Sequence, residues 1–206
     1  MESYSDVRGA VSQPQTGESS IECWTAFDGT PLLMRPVDSE DVPGLDQLYG
    51  SLSYEDRRMR FHGGVNGLTA ATLRRMASAD PAREVAFVIA ALTADGQSLV
   101  ADARCVVDAN GAAAECALVV APAWRRQGLG RRCIRTLCSA AEDRGLRRLY
   151  GSVLAENTPM LSLLQRCGFR CRTNRYAAHL MLADRNLGSS VIEPRSAQVP
   201  LETSVA

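Results

Sequence analysis

The six residues from Arg125 to Gly130, Arg-Arg-Gln-Gly-Leu-Gly, have the residue types and spacing of an anion-binding turn. They follow an apolar run, Ala117 to Val120, and precede an amphipathic stretch that predicts a helix. Glycine lets a backbone approach a ligand without an intervening Cβ atom. A helix N-terminus adds unpaired N–H groups and the positive end of the helix dipole. Together these features predict a cradle for a pyrophosphate.

A second pattern lies downstream of this turn. A strand-like run, Arg147 to Val153, is followed by Asn157 and by a helix-like stretch that ends at Gly168–Phe169. The first turn is not a Walker motif, because no Gly-Lys-Ser/Thr follows it, and it does not read Gly-x-Gly-x-x-Gly. The two patterns must therefore be interpreted together.

The Arg-x-x-Gly-x-Gly turn resembles the CoA-binding signature of the GNAT acetyltransferases, and the downstream pattern resembles the second motif of that family. Looser matches bring the chain closest to the bacterial protein-lysine (Pat-type) branch; they lie at Arg35–Pro36, Ser53–Arg57, Arg60–Phe61, Arg83–Ala86 and Ala114–Ala117. The resemblance covers residues 31–183. It implies an α/β (α+β) GNAT acyl-CoA N-acyltransferase fold, in which helices flank a mixed central sheet with a splayed parallel strand pair.

The resemblance also implies acetyl-CoA as cosubstrate and a set of residues that bind it. Main-chain groups of Leu118, Val119 and Val120 would hold the pantetheine arm. The pyrophosphate would bind to the amides of the turn, with further contacts from its first three residues: Gly128, Leu129, Gly130, Arg131, and Arg125, Arg126, Gln127. Asn157 resembles the asparagine that bonds the arm, although it also fits an ordinary helix N-cap, and both roles are compatible.

Acetyl transfer to a lysine-like amine needs a base, because an amine of pKa ~10.4 is mostly protonated near neutrality. Glu115 aligns with the glutamate proposed as base in Pat-type enzymes and shares a strand face with Ala117 and Val119. The alternative interpretation is a strand-edge carboxylate paired with Arg104. Other candidate bases are Asp102 and Asp108.

The general acid of many GNAT enzymes has no counterpart here. The position that corresponds to their tyrosine is Leu164, and Tyr150, Tyr176 and Cys167 are weaker substitutes. A thiolate with an intrinsic pKa of ~8.5 is a good leaving group that solvent can protonate.

The elements that position these residues follow from periodicity and from cap signals. Three helices are predicted after a first strand at Pro31–Val37: one capped by Asp38 or Ser39 and reaching Leu52, then Ser53–Phe61 and Thr69–Ser78. Strands follow at Val85–Leu92 and Leu99–Val107, with turns at Asp95–Gly96 and, as a type I′ hairpin, at Asn110–Gly111 before Ala114–Val120. The C-terminal half predicts a helix from Leu129 to Arg144, a strand at Leu149–Val153, a helix capped at Asn157 or Thr158, and two strands within Phe169–Leu182, Tyr176–Leu182 being the clearer.

Composition limits the class of protein. The chain has 206 residues, 46% hydrophobic and 22% charged, which is typical of one globular domain. We expect disordered segments at 1–20 and 186–206 around a domain at 21–185. No apolar run approaches the ~20 residues of a membrane span, and no signal-peptide pattern is present. Seven cysteines without framework spacing favour reduced thiols and a cytoplasmic location. With only two histidines, no metal site is predicted.

Charge is balanced overall but unevenly distributed. All 23 basic residues are arginines, matched by 23 acids; residues 21–120 hold 14 acids and 8 arginines, whereas residues 121–187 hold 13 arginines and 4 acids. The basic half suits an anionic cofactor such as CoA, and the acidic half suits a cationic acceptor. Few aromatic residues and no reader motif argue against nucleic acid as a partner. Oligomeric state is not predicted.

The sequence thus favours an acetyl-CoA-dependent N-acetyltransferase that acts on a primary amine, with a protein lysine as the first hypothesis. Two alternatives stay open. One is acetylation of a small amine such as a polyamine, an amino acid or an antibiotic. The other is a catalytically silent acyl-CoA-binding regulatory domain.

Overall fold

The computed structural model describes residues 21–63, 66–94 and 96–188. Within them the chain forms one mixed eight-stranded sheet in the order β1-β2-β3-β4-β5-β6-β8-β7. The strands are β1 (Glu22–Thr25), β2 (Pro31–Pro36), β3 (Glu84–Thr93), β4 (Gly96–Val107), β5 (Ala113–Val120), β6 (Arg148–Leu154), β7 (Arg170–Thr173) and β8 (Leu180–Asn186). The helices are α1 (Val42–Gly50), α2 (Tyr54–Phe61), α3 (Ala70–Ala77), α4 (Leu129–Asp143) and α5 (Thr158–Arg166), with short 3-10 turns at Ser39–Asp41 and Pro122–Trp124.

The sheet carries a hydrophobic layer on each face. On one face, α4 and α5 pack on a core that includes Leu137, Leu149 and Leu164. On the other face, α1 and α3 cover the β3–β5 part of the sheet around Leu45 and Val88. The predicted apolar stripe of α4 is confirmed, because all of its members are buried: Ile134, Leu137, Cys138 and Ala141. The predicted mixed sheet with flanking helices is therefore confirmed.

Capping residues decide where the first helices begin. Asp38, and not Ser39, opens the first helical segment, because its side chain accepts from the Glu40 amide while Asp41 accepts from the Asp38 amide at 2.8 Å. This segment is a 3-10 turn followed by α1, which ends at Gly50 and not at Leu52. Ser53 caps α2 in a reciprocal box with Asp56, as the predicted start at Ser53 requires.

Several sequence predictions need correction. The hairpin before β5 is not type I′, because only Gly111 has positive φ (68°), whereas that turn needs it at both central residues. Asn110 instead accepts the Ala112 amide through its side chain at 3.1 Å. Strand β1 was not predicted, and the last strand is Leu180–Asn186, so Tyr176 lies in the preceding loop.

Part of the domain prediction concerns residues outside those that the structure describes, and one predicted boundary differs from the structure. The predicted N-terminal segment 1–20, residues 189–206 of the predicted tail and Asp95 of the predicted turn lie outside the described residues. Strand β8 reaches Asn186, and Leu187 is buried in the core, so packed structure extends past the expected domain end at 185.

Candidate functional site

The two parallel strands separate just after Glu115. Strands β5 and β6 pair only at Ala113–Arg148, Ala114–Leu149 and Glu115–Tyr150. At the point of separation, a Cβ atom on Gly151 would lie 2.9 Å from the Cys116 carbonyl oxygen. Only glycine fits there, which explains why β6 carries one at this position. Beyond it a gap opens between Cys116–Val120 and the end of β6, as the predicted splay requires.

Alternate peptide groups of β5 face this gap. The Ala121 amide donates to Val100 at 2.8 Å and the Asp108 amide donates to Ala113 at 2.9 Å, which fixes the hydrogen-bonded pairs of the β4–β5 ladder. In an antiparallel pair such residues alternate along the strand, so the register turns Val119 toward β4. The peptide groups of Leu118 and Val120 turn toward the gap. Of the three residues predicted to hold the pantetheine arm, Leu118 and Val120 therefore present main-chain groups to the gap, whereas Val119 presents its own to β4.

The turn after β5 has the geometry of an anion cradle. Arg126 and Gly128 both have positive φ, 64° and 85°, which curls the backbone of the turn. The first helical bond of α4 is from the Arg132 amide to Gly128, and the turn has no side-chain cap. Among the described residues, the amides before it have no hydrogen-bond partner: Arg126, Gln127, Gly128, Leu129, Gly130 and Arg131.

The two glycines of the turn serve different purposes. A Cβ atom on Gly128 would meet no heavy atom within 4 Å, so open space lies beside this exposed backbone. A Cβ atom on Gly130 would lie 2.9 Å from Leu163 of α5, so Gly130 permits close packing of the two helices. Leu129 between them is buried and anchors the turn in the core. The motif spacing alone does not separate these two roles, because both glycines fit it.

Side chains complete the cradle. Arg125 donates from Nε to the gap-facing carbonyl of Val120 at 3.1 Å and pairs with Asp56 of α2 at 2.8 Å. Arg126 and Arg131 are exposed beside the unpaired amides. Gln127 donates weakly to the Ala123 carbonyl at 3.4 Å, while its buried Oε1 has no partner among the described residues.

Asn157 stands on the opposite rim of the gap, after β6. Its Oδ1 accepts the Met160 amide at 3.2 Å, so it is the N-cap of α5. Capping occupies the side-chain oxygen but leaves the Nδ2 group available to donate. The position is thus compatible with both predicted roles.

Glu115 is exposed at the apex of the gap. The alternative interpretation, an ion pair with Arg104, is wrong: Arg104 lies opposite Ala117 and binds Asp102 at 2.6 Å. Burial alone would lower the pKa of Arg104, but the charge and hydrogen bond of Asp102 outweigh it and raise that pKa. Tyr49 also donates to Asp102 at 2.7 Å. Asp102 is therefore fully buried and committed to two partners, which removes it as an accessible base.

Asp108 and Tyr150 form a second polar pair near Glu115. The Tyr150 hydroxyl donates to Asp108 at 2.8 Å, and Tyr150 lies directly opposite Glu115 on β6. Burial, followed by the bond to Asp108, raises the pKa of Tyr150 to about 12. Its proton is thus held by a carboxylate. Leu164 is buried in the core, and Tyr176 is 90% exposed in the β7–β8 loop.

Helix α2 is tied to both rims of the gap. Asp56 binds Arg125 after β5, and Arg58 binds Glu156 after β6. No α2 residue is fully buried: Phe61 at its end packs against the Tyr49 ring, with 5.7 Å between centroids, and ion pairs hold the helix at the rims of the gap. Partial burial would raise the pKa of Asp56, but hydrogen bonds from Ser53 and Arg125 lower it.

Sequence reasoning missed this bridge, although the Ser53-x-x-Asp56 cap signal marked one of its residues. The partner of Arg58 lies 98 positions away, which no local pattern reveals.

Other potential sites are less informative. All seven cysteines are free, and Cys167 and Cys171 pack against the core as predicted. Among the described residues, no group of three or more metal-ligating side chains occurs, and no helix has the length and apolarity to cross a membrane. A cavity of about 420 Å³ lies between the end of α1 and the Ala121–Trp124 turn, without a charged side chain in its lining.

Comparison with known proteins agrees with this geometry. The family model described as the acetyltransferase (GNAT) family matches residues 54–169. Acetyltransferase PA5475 of Pseudomonas aeruginosa is 30% identical over 143 residues, 69% of this chain and 76% of that protein. The GNAT domain of S. lividans PAT superposes with a TM-score of 0.72 at 22% identity, covering 81% of this chain and 97% of that one. Mycobacterium smegmatis RimJ in complex with CoA-disulfide gives 0.59 at 19% identity, covering 81% and 86%.

Proposed function

Because the chain belongs to the acetyltransferase (GNAT) family, we propose that it transfers an acetyl group from acetyl-CoA to a primary amine, with a protein lysine as acceptor. The observation that carries the proposal is the gap between β5 and β6, which ends at a turn of unpaired amides. A thioester on a pantetheine arm needs such a slot, and a pyrophosphate needs such a turn. RimJ of M. smegmatis, which has the same fold, was solved with CoA-disulfide.

The cofactor residues divide by the atoms they offer. The pyrophosphate accepts hydrogen bonds from amides of the turn, with charge from Arg125, Arg126 and Arg131. The peptide groups of Leu118 and Val120 bind the arm, and Asn157 donates to it from the other rim. Arg125 must then give up its bond to the Val120 carbonyl, which it holds in this structure. The gap-facing amides of β5 between Val120 and Glu115 polarise the thioester carbonyl.

Glu115 is the proposed base. Its carboxylate is exposed on the face that α2 borders, at the point where β5 and β6 separate. The amine nitrogen loses a proton to Glu115, directly or through a water, and attacks the thioester carbon. A C–N bond forms, the C–S bond breaks, and the electron pair leaves with sulfur. Asp108, already bonded to Tyr150, is the second candidate.

The leaving thiolate has no dedicated acid in this proposal. Leu164 is buried where many relatives place a tyrosine, and the Tyr150 proton is bound to Asp108. A thiol of pKa ~8.5 takes its proton from solvent without a large penalty. The lack of a dedicated general acid is also what favours the second candidate function, a catalytically silent acyl-CoA-binding domain.

Thiol release from acetyl-CoA tests the proposal. The chain is incubated with lysine peptides and, separately, with polyamines, and free thiol is recorded against time. Peptide-dependent release supports the proposal, whereas release with polyamines alone assigns a small-amine acceptor. Binding of acetyl-CoA without release for any amine would make the domain a silent binder.

A further inference from the structure

The sheet face that borders Glu115 has two unlike halves. Its β3–β5 part is covered by α1 and α3. In β6, β8 and β7, Leu149, Val153 and Ala183 point to the α4–α5 core, so their alternates point to the opposite face. These alternates comprise three leucines, Leu154, Leu180 and Leu182, and seven polar residues: Arg148, Tyr150, Ser152, Asp184, Asn186, Arg170 and Arg172. The Arg170 and Arg172 side chains are 74% and 56% exposed, so this half of the face is open to solvent.

Four of the residues on this face form one continuous row. Glu115 lies opposite Tyr150, Tyr150 opposite Asp184, and Asp184 opposite Arg170. Neighbouring strands are ~4.8 Å apart, so the row extends ~14 Å outward from the proposed base. The two ion pairs that tie helix α2 to the rims of the gap reach the chain after β5 and after β6, and not the row itself. An acceptor can therefore reach Glu115 along the row.

The row is electrically polarised. Its inner end carries two carboxylates, Glu115 and Asp108, against one guanidinium, that of Arg148, which lies 5.1 Å from the Tyr150 ring centroid. Its outer end carries Arg172 at 3.3 Å and Arg170 at 3.9 Å from the Asp184 carboxylate, which is 4% exposed. One buried carboxylate faces two exposed guanidinium groups, so positive charge is left for a ligand.

We propose that this row is the docking surface for the acceptor, and that the acceptor is a peptide segment whose lysine is flanked by acidic residues. The inference rests on the proposed function and names its substrate class. The lysine ammonium lies at Glu115, and a flanking carboxylate lies at Arg172 and Arg170.

Length separates a peptide from a small amine. The guanidinium groups lie over β8, two strand spacings or ~10 Å from β5. Extended backbone advances ~3.3–3.6 Å per residue, so a carboxylate one or two positions from the lysine reaches that far. In a free amino acid the α-amine and the α-carboxylate are attached to the same carbon. They are therefore too close together for one to lie at Glu115 while the other lies at the two arginines.

The test is a matched set of lysine peptides that differ only in the two residues on either side: Asp or Glu, Asn or Gln, and Arg. We expect kcat/KM to be highest for the acidic peptide, by about 5- to 10-fold over the neutral one, as rim ion pairs allow. The difference should lie in KM and should shrink in high salt. Equal rates for all three peptides would overturn the inference, while thiol release would still support acetyl transfer.

Variants test whether Arg170 and Arg172 cause the preference for acidic flanking residues. Arg170→Gln with Arg172→Gln should reduce the acidic peptide to the rate of the neutral peptide and leave the neutral peptide unchanged. Arg74→Gln, an exposed arginine on α3, is the matched control and should change nothing. The double variant leaves the buried Asp184 carboxylate without its two arginine partners, which could disturb folding. A triple variant that adds Asp184→Asn removes that unpaired charge. A preference for acidic flanks that survives the double variant would contradict the assignment of the surface.

Discussion

The two sides of the splayed strand pair are built differently. The proposed cofactor side centres on one turn, residues 125–131, in which the amides of Arg126 to Arg131 are unpaired because of local backbone geometry. The proposed acceptor side combines Glu115, Tyr150 and Asp184 from three strands with helix α2, which ion pairs tie to both rims of the gap. The pyrophosphate of the proposed cosubstrate needs main-chain amides at a helix N-terminus, and a local turn supplies them. The acceptor side depends on strand register and can differ while the turn stays the same.

The largest effect should come from the cofactor side. Replacing Gly128 by Val puts a branched side chain into the open space beside the amides and strains a backbone with φ of 85°. We expect acetyl-CoA affinity to fall by at least ~100-fold, the scale of a few lost hydrogen bonds, and turnover to be lost with it. Calorimetry measures the binding.

Gly145 offers a matched control for this change. It lies at the other end of α4 with φ of 70° and open space around its Cβ position, so Gly145→Val imposes the same strain away from the turn. We expect it to lower stability and to leave the acetyl-CoA affinity unchanged. Equal losses of affinity in both variants would mean that strain, and not the turn, is responsible.

On the acceptor side, Glu115→Gln should separate binding from chemistry. A positioned base contributes ~10²–10⁴-fold, so turnover should fall by that factor while acetyl-CoA affinity stays the same. The defect should shrink as pH rises toward the amine pKa of ~10.4, because a growing share of the amine is then already neutral. Stopped-time thiol release from pH 6.5 to 9.5 measures it.

Asp108→Asn is the comparison for this variant. If Glu115→Gln keeps parental activity near neutral pH and Asp108→Asn does not, the base belongs to the Asp108–Tyr150 pair. Asp102 is not tested in this way, because removing it would leave Arg104 buried without its partner.

A smaller effect is expected at the α2 bridge. Glu156→Gln breaks the contact across the gap, whereas Glu55→Gln breaks the contact of Arg58 inside α2 and serves as the control. Exposed ion pairs contribute little, so the acceptor KM should change by no more than about fivefold for Glu156→Gln and less for Glu55→Gln. Equal effects would show that α2 itself, and not its bridge, sets the acceptor KM.

The pH dependence of this bridge should differ from that of the base. The pKa of Asp56 is lowered, so its contact with Arg125 is complete above the ordinary aspartate pKa of ~3.9. It is lost only as pH falls through the lowered value. On the other rim, hydrogen bonds to Glu55 and Glu156 raise the pKa of Arg58, so its guanidinium stays charged throughout this range. The effect of Glu156→Gln should therefore be constant between pH 6.5 and 9.5, where the effect of Glu115→Gln changes.

The smallest expected effect is self-modification. The chain has no lysine, so its one conventional amine is the N-terminus. We expect intact mass after incubation with acetyl-CoA to show at most one acetyl group per chain. More than one acetyl group per chain would contradict this, unless the additional groups map to cysteine or hydroxyl side chains. If the expectation holds, any lysine modification by this protein is wholly intermolecular.

The same contrast explains what the sequence could predict. The turn, the α4 stripe and the Asn157 cap follow from spacing within a few residues, and their structures agree with it. The alternative pairing of Arg104 with Glu115 is wrong, because the strand register sets Arg104 opposite Ala117 and its guanidinium pairs with buried Asp102. The link from Arg58 to Glu156 and the row from Glu115 to Arg170 join distant segments, which only the folded sheet brings together.

Amide chemical shifts on addition of acetyl-CoA test the central claim most directly, since they report the cofactor site without an acceptor or a mutation. The account predicts saturable shifts that are largest at Arg126 to Arg131, with smaller ones at Leu118, Val120 and Asn157. Residues of the 420 Å³ cavity at the end of α1, such as Gln47 and Ser98, should change little. Shifts concentrated at that cavity with an unaffected turn, or no saturable shifts at all, would contradict it.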